Sequence, residues 1–331
     1  MEEAMASRIR RIAVLTSGGD GPGFNPCIRA VVRTAINLDW DVIGIKWGYV
    51  GLINGEMVHL TRRSVGGIIG KGGTFLGTAR SPEFRTKKGQ VEALRNLNEW
   101  DVNALVVIGG DGSMRGAMAL VEMGLPVIGL PGSIDNDLYG TDMCIGVDTA
   151  LNTALEAMDR IKDTASSHQR AFLVEVMGRN CGYLALMSGV AGGAEMSCIP
   201  EVEFELEDVA REVSDAYVRG KTHCIISVAE GARYNANAIA AYLIENKAKT
   251  GFSVRVTILG HVQRGGSPTA FDRVLATRLG AAAVEALNRG ESGVMMGLVG
   301  NVVKPIPMED VANRVKELDS YMFELAQILA K

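Results

Sequence analysis

Short apolar runs alternate with amphipathic stretches along almost the whole chain. Runs of Val, Ile and Leu predict strands at Arg11–Thr16, Val42–Ile45, Ala104–Ile108, Val127–Leu130, Phe172–Val176, Cys224–Val228 and Val254–Leu259. Apolar positions at helical spacing predict helices at Asn25–Leu38, Gln90–Glu99, Asp148–Lys162, Leu206–Arg219 and Ala236–Lys249. Strands this uniformly apolar are buried on both faces, and strands separated by helices pair in parallel. The pattern predicts an α/β fold with mainly parallel sheets. At 331 residues there is room for about two domains of roughly 150 residues each. Glycine-rich turns follow the early strands, so a nucleotide-type domain is expected up to about residue 146.

Composition narrows the class. Hydrophobic residues at 47% and charged residues at 22% exclude a wholly disordered chain. A net charge of −4 gives no global basic field, so nucleic acid is not an expected partner. No run reaches about 18 apolar residues, and the start lacks an apolar stretch, so neither a membrane span nor a signal peptide is expected. The five cysteines, Cys27, Cys144, Cys181, Cys198 and Cys224, form no CxxC pair, which fits a reducing cytoplasm. Glycine is in surplus: 40 residues, about 12% against an ordinary usage near 7%. Backbone must therefore turn sharply or approach something closely at many points.

The surplus has addresses. Ser17-Gly18-Gly19-Asp20-Gly21-Pro22-Gly23 follows the first strand, and Gly109-Gly110-Asp111-Gly112-Ser113 follows the Ala104–Ile108 strand. A strand, a loop without Cβ atoms and a helix N-terminus together make an anion site, with N–H groups pointing at phosphate. Either loop alone reads equally well as a tight turn without a ligand. Neither the Walker nor the dinucleotide fingerprint is satisfied. A third loop, Pro131-Gly132-Ser133-Ile134-Asp135-Asn136-Asp137, sets two carboxylates beside a hydroxyl. That combination suits metal-assisted phosphoryl transfer, although Asp-Asn-Asp is also ordinary turn chemistry. Arginines and histidines at later strand ends (His168, Arg170, Arg179, His261 and Arg264) suggest a second anion site. Each taken singly also fits a structural or ion-paired residue.

Together these segments resemble the ATP-dependent 6-phosphofructokinases of the bacterial glycolytic type. The carrying strings are LTSGGDGPGFN (Leu15–Asn25), GGTFLGTAR (Gly72–Arg80), VVIGGDGS (Val106–Ser113) and GLPGSIDND (Gly129–Asp137). DTASSHQR (Asp163–Arg170), VEVMGRNCG (Val174–Gly182) and LGHVQRGGSP (Leu259–Pro268) follow in the family's order. The resemblance implies two Rossmann-like three-layer α/β/α domains. One, for ATP and Mg²⁺, takes residues 1–146 with about 263–313. The other, for fructose 6-phosphate, takes 147–262 with about 314–331. It also implies a regulated homotetramer that phosphorylates the sugar's 1-hydroxyl in the committed step of glycolysis.

Roles carry over by position. Asp135 matches the general base and Asp111 the Mg²⁺ residue, with Asp137 in support. The Gly19 amide, Arg80 and Ser133 match contacts to the transferring phosphate, with Arg179 adding charge nearby. Tyr49, Ser81, Gly110, Gly112 and Ser113 fall in the nucleotide site, Tyr49 where an aromatic stacks on adenine, although a tyrosine in such a place is more commonly a core residue. Ile134, Met177, Gly178, Glu230, His261 and Arg264 match the sugar-phosphate site, and Arg170 and Arg255 match arginines that reach it from a neighbouring subunit. Arg29, Arg33, Arg62, Lys162, Glu195, Arg219, Lys221 and His223 match an effector site for ADP or phosphoenolpyruvate. Pyrophosphate-using relatives usually carry Asp and Lys at the positions of Gly112 and Gly132, so glycine at both favours ATP. A lipid or NAD kinase could share the GGDGS loop, but not the Asp135 motif together with the His261–Arg264 string. A non-catalytic subunit would be expected to have lost Asp135, Asp111 or Arg80.

Overall fold

The computed structural model describes residues 9–330, the side chain of Lys249 excepted. The chain forms two compact units. One closes at Asp148 and resumes over Arg264–Lys316; the other takes Thr149–Gln263 and the residues from Glu317.

In the first unit, β1 (Arg11–Ser17), α1 (Phe24–Asn37), β2 (Asp41–Ile45), α2 (Gly48–Asn54) and β3 (Met57–Leu60) come first. They are followed by α3 (Lys87–Glu99), β4 (Ala104–Gly109), α4 (Asp111–Glu122) and β5 (Val127–Pro131). α5 (Val147–His168), β6 (Arg170–Val176), α6 (Tyr183–Gly192) and β7 (Met196–Cys198) open the second unit, the division falling in the first turn of α5. It continues through α7 (Leu206–Val218), β8 (Cys224–Ala229), α8 (Ala236–Glu245), α9 (Lys247–Thr250) and β9 (Ser253–Ile258). After a short 3-10 turn at Gly260–Arg264 the chain adds α10 (Ala270–Asn288), β10 (Val294–Val299), β11 (Val302–Pro307) and α11 (Met308–Asn313) to the first unit. α12 (Ser320–Ala330) belongs to the second.

The first sheet runs β11-β10-β5-β4-β1-β2-β3, parallel except for the two edge strands. Its central strands feed two cores. On β1, Ile12 and Val14 pack with α1 and α10, while Ala13 and Leu15 pack with α2, α3 and α4. That is why these strands read as unbroken apolar runs, each fully buried Val, Leu or Ile contributing about 1.5–3 kcal/mol. Helices α1 and α10 cross closely because Gly280 has no side chain: a Cβ there would lie 2.7 Å from the Cys27 carbonyl oxygen. The second sheet, β7-β8-β6-β9, is wholly parallel. Leu173, Ile226 and Val228 from it pack against Val209 and Val213 of α7 and Ile239 and Leu243 of α8. Among the described residues, no helix is long and apolar enough to cross a membrane.

No cysteine is paired, and Cys27, Cys144, Cys198 and Cys224 are buried. Burial pushes the Cys144 and Cys198 thiols up to about 12 and raises Cys27 and Cys224 as well. Iodoacetamide acting on the native protein at pH 8 is therefore expected to label Cys181 first, with the other four reacting only after denaturation. Peptide mapping by mass spectrometry reads this directly, and early labelling of a buried thiol would contradict the packing.

Candidate active site

Register brings the three glycine and carboxylate loops of the first unit side by side. Ser17 on β1 pairs with Gly109 on β4, and Gly109 pairs with Pro131 on β5. All three strands therefore end level, and the loops Gly18–Gly23, Gly110–Ser113 and Gly132–Asp137 leave the sheet from one edge. β1 lies between β2 and β4, where the strand order reverses, which is where open α/β sheets leave a crevice for ligands.

Local chemistry shapes these loops. α1 and α4 begin at Gly23 and Gly110, and neither has a side-chain cap, so their first N–H groups are left for another acceptor. Gly109 is obligatory: a Cβ would lie 2.5 Å from both the Ser113 Oγ and the Ser17 carbonyl oxygen. The buried Ser113 hydroxyl donates to that Ser17 carbonyl at 3.0 Å, locking the second loop to the first. The Gly132 amide donates to the Gly109 carbonyl at 2.9 Å, locking the third loop to the second.

Asp111 sits in the first turn of α4, where the helix dipole favours negative charge. Its Oδ1 accepts from Arg115 Nε at 3.1 Å, and its side chain is 39% exposed. Asp135 is 5% exposed. Asn136, in a left-handed conformation at φ 55°, fixes the turn around it. Its amide donates to the Asp142 carbonyl at 3.2 Å, and its carbonyl accepts from the Cys144 N–H at 3.0 Å. Asp137 accepts from the Ser133 hydroxyl at 2.9 Å. Ile134 is buried, so only its backbone is available to a ligand.

The loop carrying Arg80 is held by Asn25, which sequence reading did not single out. This buried side chain donates to the Lys71 and Gly72 carbonyls at 3.0 and 3.1 Å and accepts from the Phe75 N–H at 2.8 Å. Arg80 itself is exposed. Ser81 caps the following turn, accepting from the Phe84 N–H at 3.3 Å. Of the two readings of Tyr49, the structure has the core one. Its ring is 4% exposed and stacked on Phe84 at 3.9 Å, and its hydroxyl donates to the Ser113 carbonyl at 2.8 Å. A ring buried this deeply has no face for adenine. The exposed aromatic nearby is Trp47, whose ring rests against Gly77.

In the second unit, Val176 pairs with Ala229, so Met177–Arg179 and Glu230 leave neighbouring strands together. Glu230 Oε1 accepts from the Gly178 and Arg179 N–H groups at 3.3 and 2.8 Å, holding Arg179 in a left-handed conformation at φ 53°. Gln263, fully buried, accepts from the Met177 N–H at 2.8 Å and so anchors the turn that carries His261 to the same edge. Strained backbone at a charged, exposed turn is a mark of functional sites. Arg170 and Arg255 lie elsewhere. Arg170 begins β6, about 20 Å along the strand from Val176 at 3.3 Å per residue. Arg170 and Arg255 share one face of the β6–β9 edge pair, since Arg170 pairs with Ser253 and Phe172 with Arg255.

Arg80, Arg170, Arg179, Arg255 and Arg264 make no salt bridge among the described residues, whereas Arg95, Arg160, Arg211, Arg233, Arg289 and Arg314 each pair with a carboxylate. The ion-pair reading of the former group therefore finds no partner. Of the residues matched to an effector site, Glu195 is buried and binds Lys221 Nζ at 3.1 Å. Lys221 and Arg219 also donate to the Ala330 carbonyl at 3.4 Å, and His223 is hydrogen-bonded to Ser166 at 2.8 Å. Lys162 pairs with Asp159. Arg29 and Arg33 lie on α1, and Arg62 follows β3 in the first unit.

Level strand ends bear uncapped glycine loops and the carboxylates Asp111 and Asp135, and Arg80 and Arg264 of the same unit are in no salt bridge among the described residues. This is the arrangement of an α/β protein suited to phosphorylated ligands. The comparisons then fix the family: the phosphofructokinase family description matches residues 11–287, and the chain belongs to that family. It is 54% identical over 323 residues to the ATP-dependent 6-phosphofructokinase 1 of Thermus thermophilus, covering 97% of this chain and all of that protein. It is 52% identical over 322 residues to the ATP-dependent 6-phosphofructokinase of Natranaerobius thermophilus, with the same coverage. Among solved structures, phosphofructokinase from Saccharomyces cerevisiae superposes with a TM-score of 0.85 at 39% identity. That match covers 97% of this chain and 46% of the yeast chain.

Proposed function

We propose that the chain is an ATP-dependent 6-phosphofructokinase, transferring the γ-phosphoryl group of ATP to the 1-hydroxyl of fructose 6-phosphate. The observation that carries this is the level ending of β1, β4 and β5, which gathers Gly19, Asp111 and Asp135 at one sheet edge. Asp135 accepts the proton of the attacking hydroxyl. The Gly19 amide, Arg80 and the Ser133 hydroxyl hold and neutralise the transferring phosphoryl group, and Arg179 adds charge. Positioning and charge neutralisation are what such a transfer needs. The first unit serves as the nucleotide domain and the second as the sugar-phosphate domain.

Asp111 fits Mg²⁺, a cation commonly held by one or two carboxylates with substrate phosphates and water. Among the described residues no cluster of three acidic, His or Cys side chains exists to cage a metal without the nucleotide. When bound, Mg²⁺ neutralises the phosphate oxygens. Met177, Gly178, Glu230, His261 and Arg264 bind fructose 6-phosphate. Arg170 and Arg255, which make no salt bridge among the described residues and lie remote from Met177 along the sheet, serve the sugar site of a neighbouring subunit in a homotetramer. The Arg29, Arg33, Arg62, Lys162, Glu195, Arg219, Lys221 and His223 set binds ADP or phosphoenolpyruvate, and the protein works in the cytoplasm.

An aldolase-coupled assay tests the reading, with fructose 6-phosphate and either ATP or pyrophosphate as donor. NADH consumption is expected with ATP and Mg²⁺, stimulated or inhibited by ADP or phosphoenolpyruvate. Turnover with pyrophosphate alone would reassign the donor, and none with either would remove the proposal.

A further inference from the structure

Arg264 matches the sugar-phosphate site by position, yet its guanidinium lies on the first glycine loop. Nη1 donates to the Asp20 carbonyl oxygen at 3.1 Å. A Cβ on Gly19 would come within 2.5 Å of the same nitrogen, so the guanidinium rests directly against that glycine. No carboxylate among the described residues pairs with Arg264, and its full charge is turned towards a loop whose own residue 19 is exposed.

The residues after Arg264 brace the neighbouring loop in the same way. A Cβ on Gly72 would lie 2.1 Å from the Gly266 carbonyl oxygen, so the two backbones are in direct contact. Ser267 Oγ donates to the Gly70 carbonyl at 2.8 Å and is held in turn by Arg273 at 3.0 Å. All of these residues belong to the first unit. One short segment therefore supports both the Gly19 loop and the loop that leads to Arg80.

We propose that Arg264 is a positioning residue for the phosphoryl donor. It fixes the Gly19 amide and adds positive charge beside it, whether or not a sugar phosphate is present. The proposal rests on the reading of the Gly19 loop as the donor's phosphate site. A planar guanidinium suits this role, because it can hold a loop carbonyl with one N–H while others remain directed at a polyphosphate. Lysine would keep the charge and lose the fork.

The test is binding of a non-hydrolysable ATP analogue with Mg²⁺ to the full-length protein, by calorimetry, with no sugar phosphate added. Arg264→Gln is expected to weaken binding about tenfold or more, the size of one lost charge-assisted hydrogen bond, and Arg264→Lys by less. Fructose 6-phosphate binding is measured separately on the same variants. Unchanged nucleotide affinity in Arg264→Gln, with only sugar-phosphate affinity lost, overturns the proposal. Gly19→Val separates this from the underlying reading. If Gly19→Val abolishes nucleotide binding while Arg264→Gln leaves it intact, only the bracing role falls. If nucleotide binding survives both, the donor-loop reading falls and takes the bracing role with it. Should Arg264→Gln fail to fold, Arg264→Lys decides, since a residue serving the sugar alone leaves nucleotide affinity at the wild-type value.

Discussion

Asp135→Ser will lower turnover by a factor on the order of 10² to 10⁴ while leaving the binding of both substrates nearly unchanged, the signature of a lost general base. Asn136 helps to hold the turn beside it through its bonds to Asp142 and Cys144, and the thermal melt checks whether the loop keeps its shape without the carboxylate. The neighbouring carboxylate is a poor substitute, since Asp137 already accepts the Ser133 hydroxyl at 2.9 Å. Steady-state kcat and KM with both substrates, together with a thermal melt, are the measurements. Unchanged turnover in a folded variant would remove Asp135 from the chemistry.

Legibility in the sequence followed runs of Val, Ile and Leu. The seven strands read as apolar runs all lie within or beside β1, β2, β4, β5, β6, β8 and β9, shifted by at most two residues; all but β9 are interior strands of their sheets. The strands that periodicity missed are of another kind. β3 and β11 are antiparallel edges, and β11 carries Pro305 and Pro307, which a central strand would not tolerate. β10 is interrupted by Gly297, needed because a Cβ there would lie 2.2 Å from the Gly140 carbonyl oxygen. β7 has only three residues. At the site, the glycine and carboxylate loops were visible as strings because their chemistry is local. What the string could not carry was depth and distance. For Tyr49 the string left a core and a ligand-stacking ring both open, and only Phe84, 35 positions on, decides for the core. Asn25 carried no signal because its partners, Lys71, Gly72 and Phe75, come from a distant segment. Gln263 is equally silent until Met177 is seen beside it.

Gly112→Asp and Gly132→Lys, the substitutions that mimic pyrophosphate-using relatives, are expected to act in opposite ways. A Cβ on Gly112 meets nothing within 4 Å, and the residue stands in the first turn of α4. An aspartate there fits, and the helix dipole even favours it, so the melting temperature should hold. Its carboxylate, however, would face the nucleotide's phosphates in the proposed donor site. Two like charges about 4 Å apart at an effective dielectric near 20 repel by about 4 kcal/mol, so kcat/KM for ATP should fall by roughly 10² to 10³. Gly132 is different. A Cβ there would press to 2.7 Å on the Phe24 ring and to 3.2 Å on Ile108, deep in the first unit's core. A lysine must displace the aromatic ring, and overpacking of this sort costs about 1–3 kcal/mol before the charge is counted. Gly132→Lys should therefore lower the melting temperature first, and its loss of activity with any donor would follow from that. Equal ATP activity in Gly112→Asp, or an unshifted melt in Gly132→Lys, would contradict this division. If both results hold, donor choice is carried by the open position at 112, and the glycine at 132 is retained in this chain because Phe24 occupies the space a side chain would need.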